Sequence, residues 1–286
     1  MKKILKPEGF FWVLLLLVFS CEEETTGCLD TFAVNYSVGV DDACTGCCTY
    51  PVVRLAFNHK YSLDGELSNL IYGNTVKDGS GNPFRIQRIA FYVSDIALET
   101  ATGATLAVED ELVVQAEVSP GRLTERTLKD DILRIDARDI ATLTAGTFRG
   151  EGDLVRASMQ LGLPELADNL LQTSLPEGHP LGMQNDTSNL NPDGTYVVLR
   201  IDYFPDTTQT ARLESVVFSA PELSQVLDFP GTWVLPRGRQ TLLVLTMDYA
   251  AWFREVDVRI QSPEAIREKI RNSLSAAFSL SQLLVQ

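Results

Sequence analysis

The sequence has little of what most catalytic and metal centres are built from. Of its 286 residues only two are histidine, five are cysteine and four are methionine. It contains no H-E-x-x-H, no G-x-S-x-G, no phosphate-binding glycine loop and no dinucleotide-binding fingerprint. Carboxylates are so numerous that a glycosidase pair stays open, but no spacing selects one. We therefore predict that the protein is not an enzyme.

Basic residues are scarce relative to acidic ones. The chain has 24 lysines and arginines against 38 aspartates and glutamates. Without residues 1–20, which hold three lysines and one glutamate, 21 basic and 37 acidic residues remain, a formal charge of −16. Such a surface repels phosphate backbones, which argues against nucleic-acid partners.

No apolar run is long enough to cross a bilayer as a helix. The longest, Phe10–Phe19, follows three lysines and is typical of a signal peptide spanning residues 1–20. It ends at Val18-Phe19-Ser20-Cys21, which resembles a bacterial lipobox, whose cysteine is lipidated after cleavage. An ordinary signal peptide with an incidental cysteine is the alternative.

The residues after Cys21 indicate where the protein is displayed. Glu22–Glu24 lie in an acidic tether, residues 21–26, that resembles the surface-export signal of Bacteroidetes lipoproteins. Acyl chains on Cys21 would attach the protein to a membrane without a spanning helix. We predict an outer-membrane lipoprotein exposed at the cell surface, with the periplasmic side as the alternative.

Residues 27–50 form a small cysteine-rich segment. It holds all four remaining cysteines, which are Cys28, Cys44, Cys47 and Cys48. In an exported chain this predicts disulfides rather than a four-thiolate zinc site. A bond between Cys47 and Cys48 would be strained, so one should pair with Cys28 and the other with Cys44. The segment resembles a G-C-x-D-x-x-A-x-N-Y module of Bacteroidetes surface proteins, to which Cys44 and Cys47 are additions.

Residues 51–261 alternate apolar and polar side chains in short stretches. The longest, Pro83–Glu99, slips phase at Gln87–Arg88 and at Ser94–Asp95, and each slip predicts a β-bulge. Further predicted strands are Val52–His59, Leu112–Val118, Ile132–Ala137, Val155–Leu163, Val197–Tyr203, Leu213–Ser219, Thr241–Tyr249 and Glu255–Gln261. The pattern predicts an all-β fold, an antiparallel sandwich or open barrel of nine or ten strands.

A helix is predicted over residues 262–286. Ser262 is a suitable N-cap, and Pro263 suits the first turn. The face that packs on the sandwich is formed by residues at four-residue spacing, which are Ile266, Ile270, Leu274 and Phe278. The opposite side mixes acidic and basic residues, which argues against the alternative of a helix lying on a membrane.

The candidate metal ligands are His59, His179 and Met183. His59 ends the first strand of the domain, and the other two lie in a loop by composition. Imidazole and thioether groups together suit copper, Cu(I) in particular. The alternative is that His59 belongs to a hydrogen-bond network and the other two are ordinary loop residues.

Several scattered stretches resemble the MbnP-like family of methanobactin-associated, copper-linked exported proteins. They are Phe57-Asn58-His59, Tyr72-Gly73-Asn74, Phe84–Ile86, Phe91–Leu98, Leu143–Phe148, Met159–Pro164, Gly178–Leu181 and Leu245–Tyr249. The resemblance covers residues 52–260. It implies a β-sandwich, a redox or copper-handling protein partner and, in some members, copper bound by histidines and an oxidised tryptophan. Between His179 and Tyr196 this chain has no tryptophan.

Two functions follow from these observations. The first is a non-enzymatic lipoprotein that captures or delivers copper. The second is a surface interaction module that binds a protein or glycan without metal, for which an exposed apolar patch among the loops is expected.

Overall fold

The computed structural model describes residues 25–182, 190–208 and 210–286. The predicted signal peptide, the predicted lipidation site Cys21 and the candidate ligand Met183 lie outside these ranges. Within them, no helix is both long and apolar enough to cross a membrane.

The described residues fold into strands β1–β17 and two α-helices. The first strands are β1 Thr26–Gly27, β2 Asp42–Ala43, β3 Val52–Leu63, β4 Glu66–Asn69, β5 Thr75–Lys77, β6 Pro83–Thr100, β7 Thr105–Ala107, β8 Glu111–Ser119 and β9 Arg122–Lys129. The later strands are β10 Leu133–Asp136, β11 Thr142–Thr147, β12 Gly152–Gly162, β13 Val197–Phe204, β14 Glu214–Ser219, β15 Ser224–Leu235, β16 Thr241–Asp248 and β17 Phe278–Val285. The helices are α1 Ala250–Phe253 and α2 Pro263–Ser273, and short 3₁₀ helices span Glu165–Asn169, Gln172–Ser174, Ala220–Glu222 and Leu274–Ala277.

Two sheets form the sandwich and enclose the core. One contains eight strands, including β6, β12, β13 and β15, and the other contains β3, β4, β11, β16 and β17. Aromatic rings from the two sheets meet: the centroid of Phe57 on β3 lies 6.0 Å from that of Phe91 on β6. Phe91 also contacts Phe278 of β17 at 5.8 Å. The predicted all-β sandwich is confirmed.

Strand β6 organises the larger sheet because it is paired along both of its edges. Phe91 pairs with β13 and with β10, and Ala97 pairs with β12 and with β7. The register shifts where Arg88 pairs with Asp202 but Ile86 pairs with Tyr203, which leaves Gln87 as an extra residue. A second shift against β12 falls at Asp95, whose φ is 50°. Both predicted bulges are confirmed.

The predicted helix over residues 262–286 is correct only in its first half. Ser262 caps α2 by accepting a hydrogen bond from the Ala265 N–H group, and Ile266 and Ile270 are buried. The helix ends at Ser273, however, and Phe278–Val285 form β17, antiparallel to β16. The predicted apolar face continues to Leu274 in the 3₁₀ turn after α2, but from Phe278 onward the chain pairs with β16 instead of continuing the helix.

Two other strand predictions need correction, and one long strand was missed. Residues 255–261 form turns rather than a strand, because the Val258 N–H group donates to the Asp78 carboxylate at 2.9 Å instead of joining a ladder. Val155, predicted to point inward, is an exposed extra residue opposite β6. Strand β15 was not predicted because it contains Pro230 and Gly231, which are typical of turns but tolerated in a strand that the structure pairs only with β12.

The cysteine-rich segment is a small module that docks against the sandwich. Arg149 lies 3.9 Å above the ring centroid of Tyr50 and forms an ion pair with Asp30. On the other side, the Arg237 guanidinium donates to the Thr31 hydroxyl at 3.0 Å and lies over the Phe32 ring. Two arginines of the sandwich therefore hold the module in place.

Candidate functional site

His59 lies on the inner face of β3. Every second residue of that strand from Val53 to Tyr61 is buried, so alternation turns the imidazole toward the core. The ring stacks between two aromatic side chains, with centroid distances of 6.1 Å to Phe57 and 5.8 Å to Tyr249. The backbone and its neighbours therefore fix the ring from both sides.

The two ring nitrogens of His59 lie in different environments. Nδ1 lies 2.7 Å from the Tyr249 hydroxyl, whereas Nε2 is buried and, among the described residues, makes no hydrogen bond of normal length and angle. Burial lowers the pKa of His59 to about 4, although the charge of Asp136 and a weaker hydrogen bond with the Asp139 backbone oppose that shift. At neutral pH the imidazole is therefore uncharged.

A cavity of about 570 Å³ adjoins His59. Its inner wall is mostly apolar and includes Phe57, Leu70 and Tyr72. At its mouth Ile71 and Ile140 are 57% and 93% exposed. His59 and three other polar residues, Asn58, Asn69 and Arg138, also line it. A mostly apolar cavity with a few polar groups is typical of a binding site.

Tyr72 and Asp136 form a hydrogen-bond network beside the cavity. The Tyr72 hydroxyl oxygen lies 3.1 Å from Asp136 Oδ1 and accepts a 2.8 Å hydrogen bond from the Ile89 N–H group. Asp136 Oδ1 also accepts from the Arg138 N–H group, and Oδ2 faces the Arg138 guanidinium at 3.6 Å. Both oxygens are therefore engaged within the protein.

His179 lies at a different place in the fold. Its Nε2 is 3.1 Å from Asp130 Oδ1, and its Nδ1 accepts a hydrogen bond from the Leu181 N–H group. The following residue, Pro180, accepts a hydrogen bond from Tyr92. Tyr92 and Phe91 project to opposite faces of β6, and Phe91 faces the His59 side. The two predicted histidine ligands are therefore separated by the larger sheet, and Met183 lies outside the described residues.

Met247 lies next to His59, although the sequence did not single it out. The two residues are paired in the parallel register of β3 and β16, and both are buried. Paired residues of neighbouring strands point to the same face, so the thioether and the imidazole share one side of the sheet. The alternation of Thr241–Tyr249 predicted its burial, but its neighbour could be known only from the strand pairing.

The cysteines form two disulfides, Cys28–Cys48 and Cys44–Cys47. This pairing is one of the two arrangements that the sequence predicted. The sulfurs of Cys44, Cys47 and Cys48 lie within 4.8 Å of one another, and within the described ranges they are the one group of three or more candidate metal-ligating side chains. As disulfides they are not thiolate ligands, so the zinc alternative does not describe this state.

Comparison with known proteins adds little to this geometry. No protein-family model matches the chain. No curated protein matches it either. The solved structure of MbnP from Methylosinus trichosporium aligns with 72% of this chain and 77% of its own, at 13% identity and a TM-score of 0.33.

Proposed function

We propose that the protein is an exported, non-enzymatic binding lipoprotein, anchored through Cys21, whose binding site is the cavity at His59 and whose cargo is copper. The observation that supports this most directly is the neutral, buried imidazole of His59 beside the cavity, whose Nε2 atom makes no hydrogen bond of normal geometry among the described residues. A copper-handling or redox protein at the outer membrane would supply or receive the cargo.

The chemistry of the site suits a soft ion. A neutral imidazole offers a lone pair on Nε2 when its Nδ1–H group donates to the Tyr249 hydroxyl, which also fixes the ring. The Met247 thioether is buried on the same face of the neighbouring strand, although it does not line the cavity, and it would supply a second soft ligand for Cu(I). Asp136 is a weaker ligand because Oδ1 accepts hydrogen bonds and Oδ2 faces the Arg138 guanidinium. The site therefore favours Cu(I) over hard cations, which need several oxygen ligands.

Copper binding is tested on the full mature chain with its disulfides closed. We expect one equivalent of Cu(I) in a competition titration and its loss in His59→Gln. Tyr249→Phe should weaken binding by about 10- to 100-fold, since it removes the group that orients the ligand. His179→Gln is the matched control and should bind as the wild type does. Absence of stoichiometric copper, or loss of binding in the control, would refute the proposal.

A second candidate function is favoured by the mouth of the cavity. Ile71 and Ile140 expose apolar surface beside an apolar interior, as expected of a surface module that inserts a partner's apolar side chain. In this alternative His59 Nε2 would hydrogen-bond the partner rather than a metal.

Photo-crosslinking in the native envelope tests the second function. A crosslinking residue at Ile140 should capture one discrete partner, and the same residue at Val226, an exposed position on β15, should not. Equal capture from both positions would mean that the cavity mouth is not a specific contact surface.

A further inference from the structure

The two disulfides of the module differ in the properties that govern thiol–disulfide exchange. Cys28–Cys48 spans 20 residues, and Cys28 is 2% exposed. Cys44–Cys47 spans only three residues, and Cys47 is exposed to solvent. The constraint that a disulfide places on the unfolded chain grows with loop length, so the second bond contributes less to stability.

The backbone on both sides of Cys44–Cys47 is held without that disulfide. The Cys44 N–H group donates to the Gly27 carbonyl at 2.8 Å. The Cys47 carbonyl accepts a 2.8 Å hydrogen bond from the Asn35 side chain, whose oxygen in turn accepts from the Thr49 N–H group. Gly46 turns the chain between them with a φ of 72°, which glycine adopts readily. Both cysteines therefore stay in place when the bond opens.

We propose that Cys44-Thr45-Gly46-Cys47 is a redox-active disulfide that exchanges with an external dithiol, while Cys28–Cys48 is the structural one. This inference does not depend on the proposed binding function. One thiolate of the dithiol attacks Cys47 Sγ, the bond to Cys44 breaks, and the Cys44 thiolate takes up a proton. The second thiolate of the dithiol then attacks the dithiol sulfur that is bonded to Cys47 Sγ. The Cys47 thiolate leaves and takes up a proton. Two electrons and two protons pass to the protein, and the dithiol becomes a disulfide.

Cys48 lies close to the reactive pair, but the burial of its partner Cys28 confines the exchange to Cys44 and Cys47. Its sulfur lies within 4.8 Å of the sulfurs of Cys44 and Cys47, close enough for a freed thiolate to approach it. Attack on Cys48 would release Cys28 as a thiolate, however, and Cys28 is buried. Burial disfavours the thiolate form, which makes Cys28 a poor leaving group and slows exchange at the Cys28–Cys48 bond.

Timed reduction of the full mature chain tests the assignment. Dithiothreitol is added, samples are alkylated at intervals, and the modified cysteines are mapped by mass spectrometry. We expect Cys44 and Cys47 to react at least tenfold faster than Cys28 and Cys48. The variant Cys44→Ser/Cys47→Ser should lack the fast phase and keep Cys28–Cys48 closed. Simultaneous reaction of all four cysteines, or earlier opening of Cys28–Cys48, would overturn the proposal.

A turnover measurement distinguishes catalysis of disulfide exchange from a Cys44–Cys47 bond that is merely easy to reduce. The wild-type chain should accelerate the reduction of insulin disulfides by dithiothreitol, whereas Cys44→Ser/Cys47→Ser should not. Equal rates with and without the wild-type chain would overturn a redox role even if Cys44–Cys47 opens first.

Discussion

At His59 the packing of the ring and the hydrogen bonding of its Nε2 atom make different demands on the residue. The hydroxyl of Tyr249 and two flanking rings hold it in the core, yet its Nε2 atom makes no hydrogen bond of normal geometry within the described structure. A stability role alone would be served better by an apolar side chain, because an unpaired buried polar atom costs free energy. Retaining imidazole at this position is therefore consistent with a ligand that pairs with Nε2.

The depressed pKa of His59 predicts a specific acid sensitivity. The unfolded imidazole binds a proton near pH 6.5 and the folded one only near pH 4, so stability is lost as pH falls through that interval. The shift corresponds to about 3 kcal/mol of unfolding free energy at the acidic end. Denaturant unfolding between pH 7 and pH 4 measures it.

His59→Gln is the control for this prediction, because glutamine does not titrate. The carboxylates affect both proteins alike, so the wild type should lose stability more steeply than the variant. Parallel pH profiles would mean that His59 is not buried in its neutral form.

At the scale of secondary-structure elements, the length and the pairing of β6 depend on its bulges. Asp95 takes a left-handed φ of 50°, and beyond it the Ile96 N–H group donates to the buried Asp131 carboxylate at 2.9 Å. Lys129 pairs with the same carboxylate at 2.7 Å. A buried side chain thus satisfies the backbone at the shift, which lets β6 continue and pair with further strands.

Substitutions at Asp95 test this backbone conformation. Asp95→Val should destabilise the protein by about 1–2 kcal/mol, since a β-branched residue is strained in the left-handed region. Asp95→Gly is the matched control, because it also removes the carboxylate but relieves the strain, and it should be close to neutral. Thermal unfolding compares them. Equal losses in both variants would assign the effect to the Asp95–Lys129 ion pair instead.

At the scale of the whole molecule, two arginines join the module to the sandwich. Arg149 contacts Tyr50 and Asp30, while Arg237 contacts Phe32, Thr31 and Glu151. These contacts lie at the surface, so salt weakens them and the core does not depend on them.

The double variant Arg149→Ala/Arg237→Ala should release the module without unfolding the sandwich. We expect a larger radius of gyration in small-angle scattering and an unchanged melting temperature. Arg156→Ala, which removes an ion pair with Glu99 elsewhere on the surface, is the control and should change neither. A compact double variant would show that other contacts dock the module.

The C-terminal region shows why local patterns can mislead. Ile270, Leu274 and Phe278 are all buried and fit a helix stripe, but Phe278 is also the first residue of β17, so its burial fits either a helix or a strand. Only pairing with β16 decides between the two, and β16 lies some thirty residues earlier. The bulges of β6, in contrast, were predicted correctly because a phase slip within one strand is a local property.

Amino-acid order alone determined the all-β class, the clustered disulfides, the bulges of β6 and the choice of His59 as a candidate, since each depends on neighbours along the chain. Tertiary structure alone decided that His179 lies across a sheet from His59, that Met247 lies beside it, and that Tyr249, 190 residues away, holds its ring. The reason is physical. The alternation of apolar and polar residues predicts which side chains face the core, whereas strand order and register decide which of those side chains come into contact.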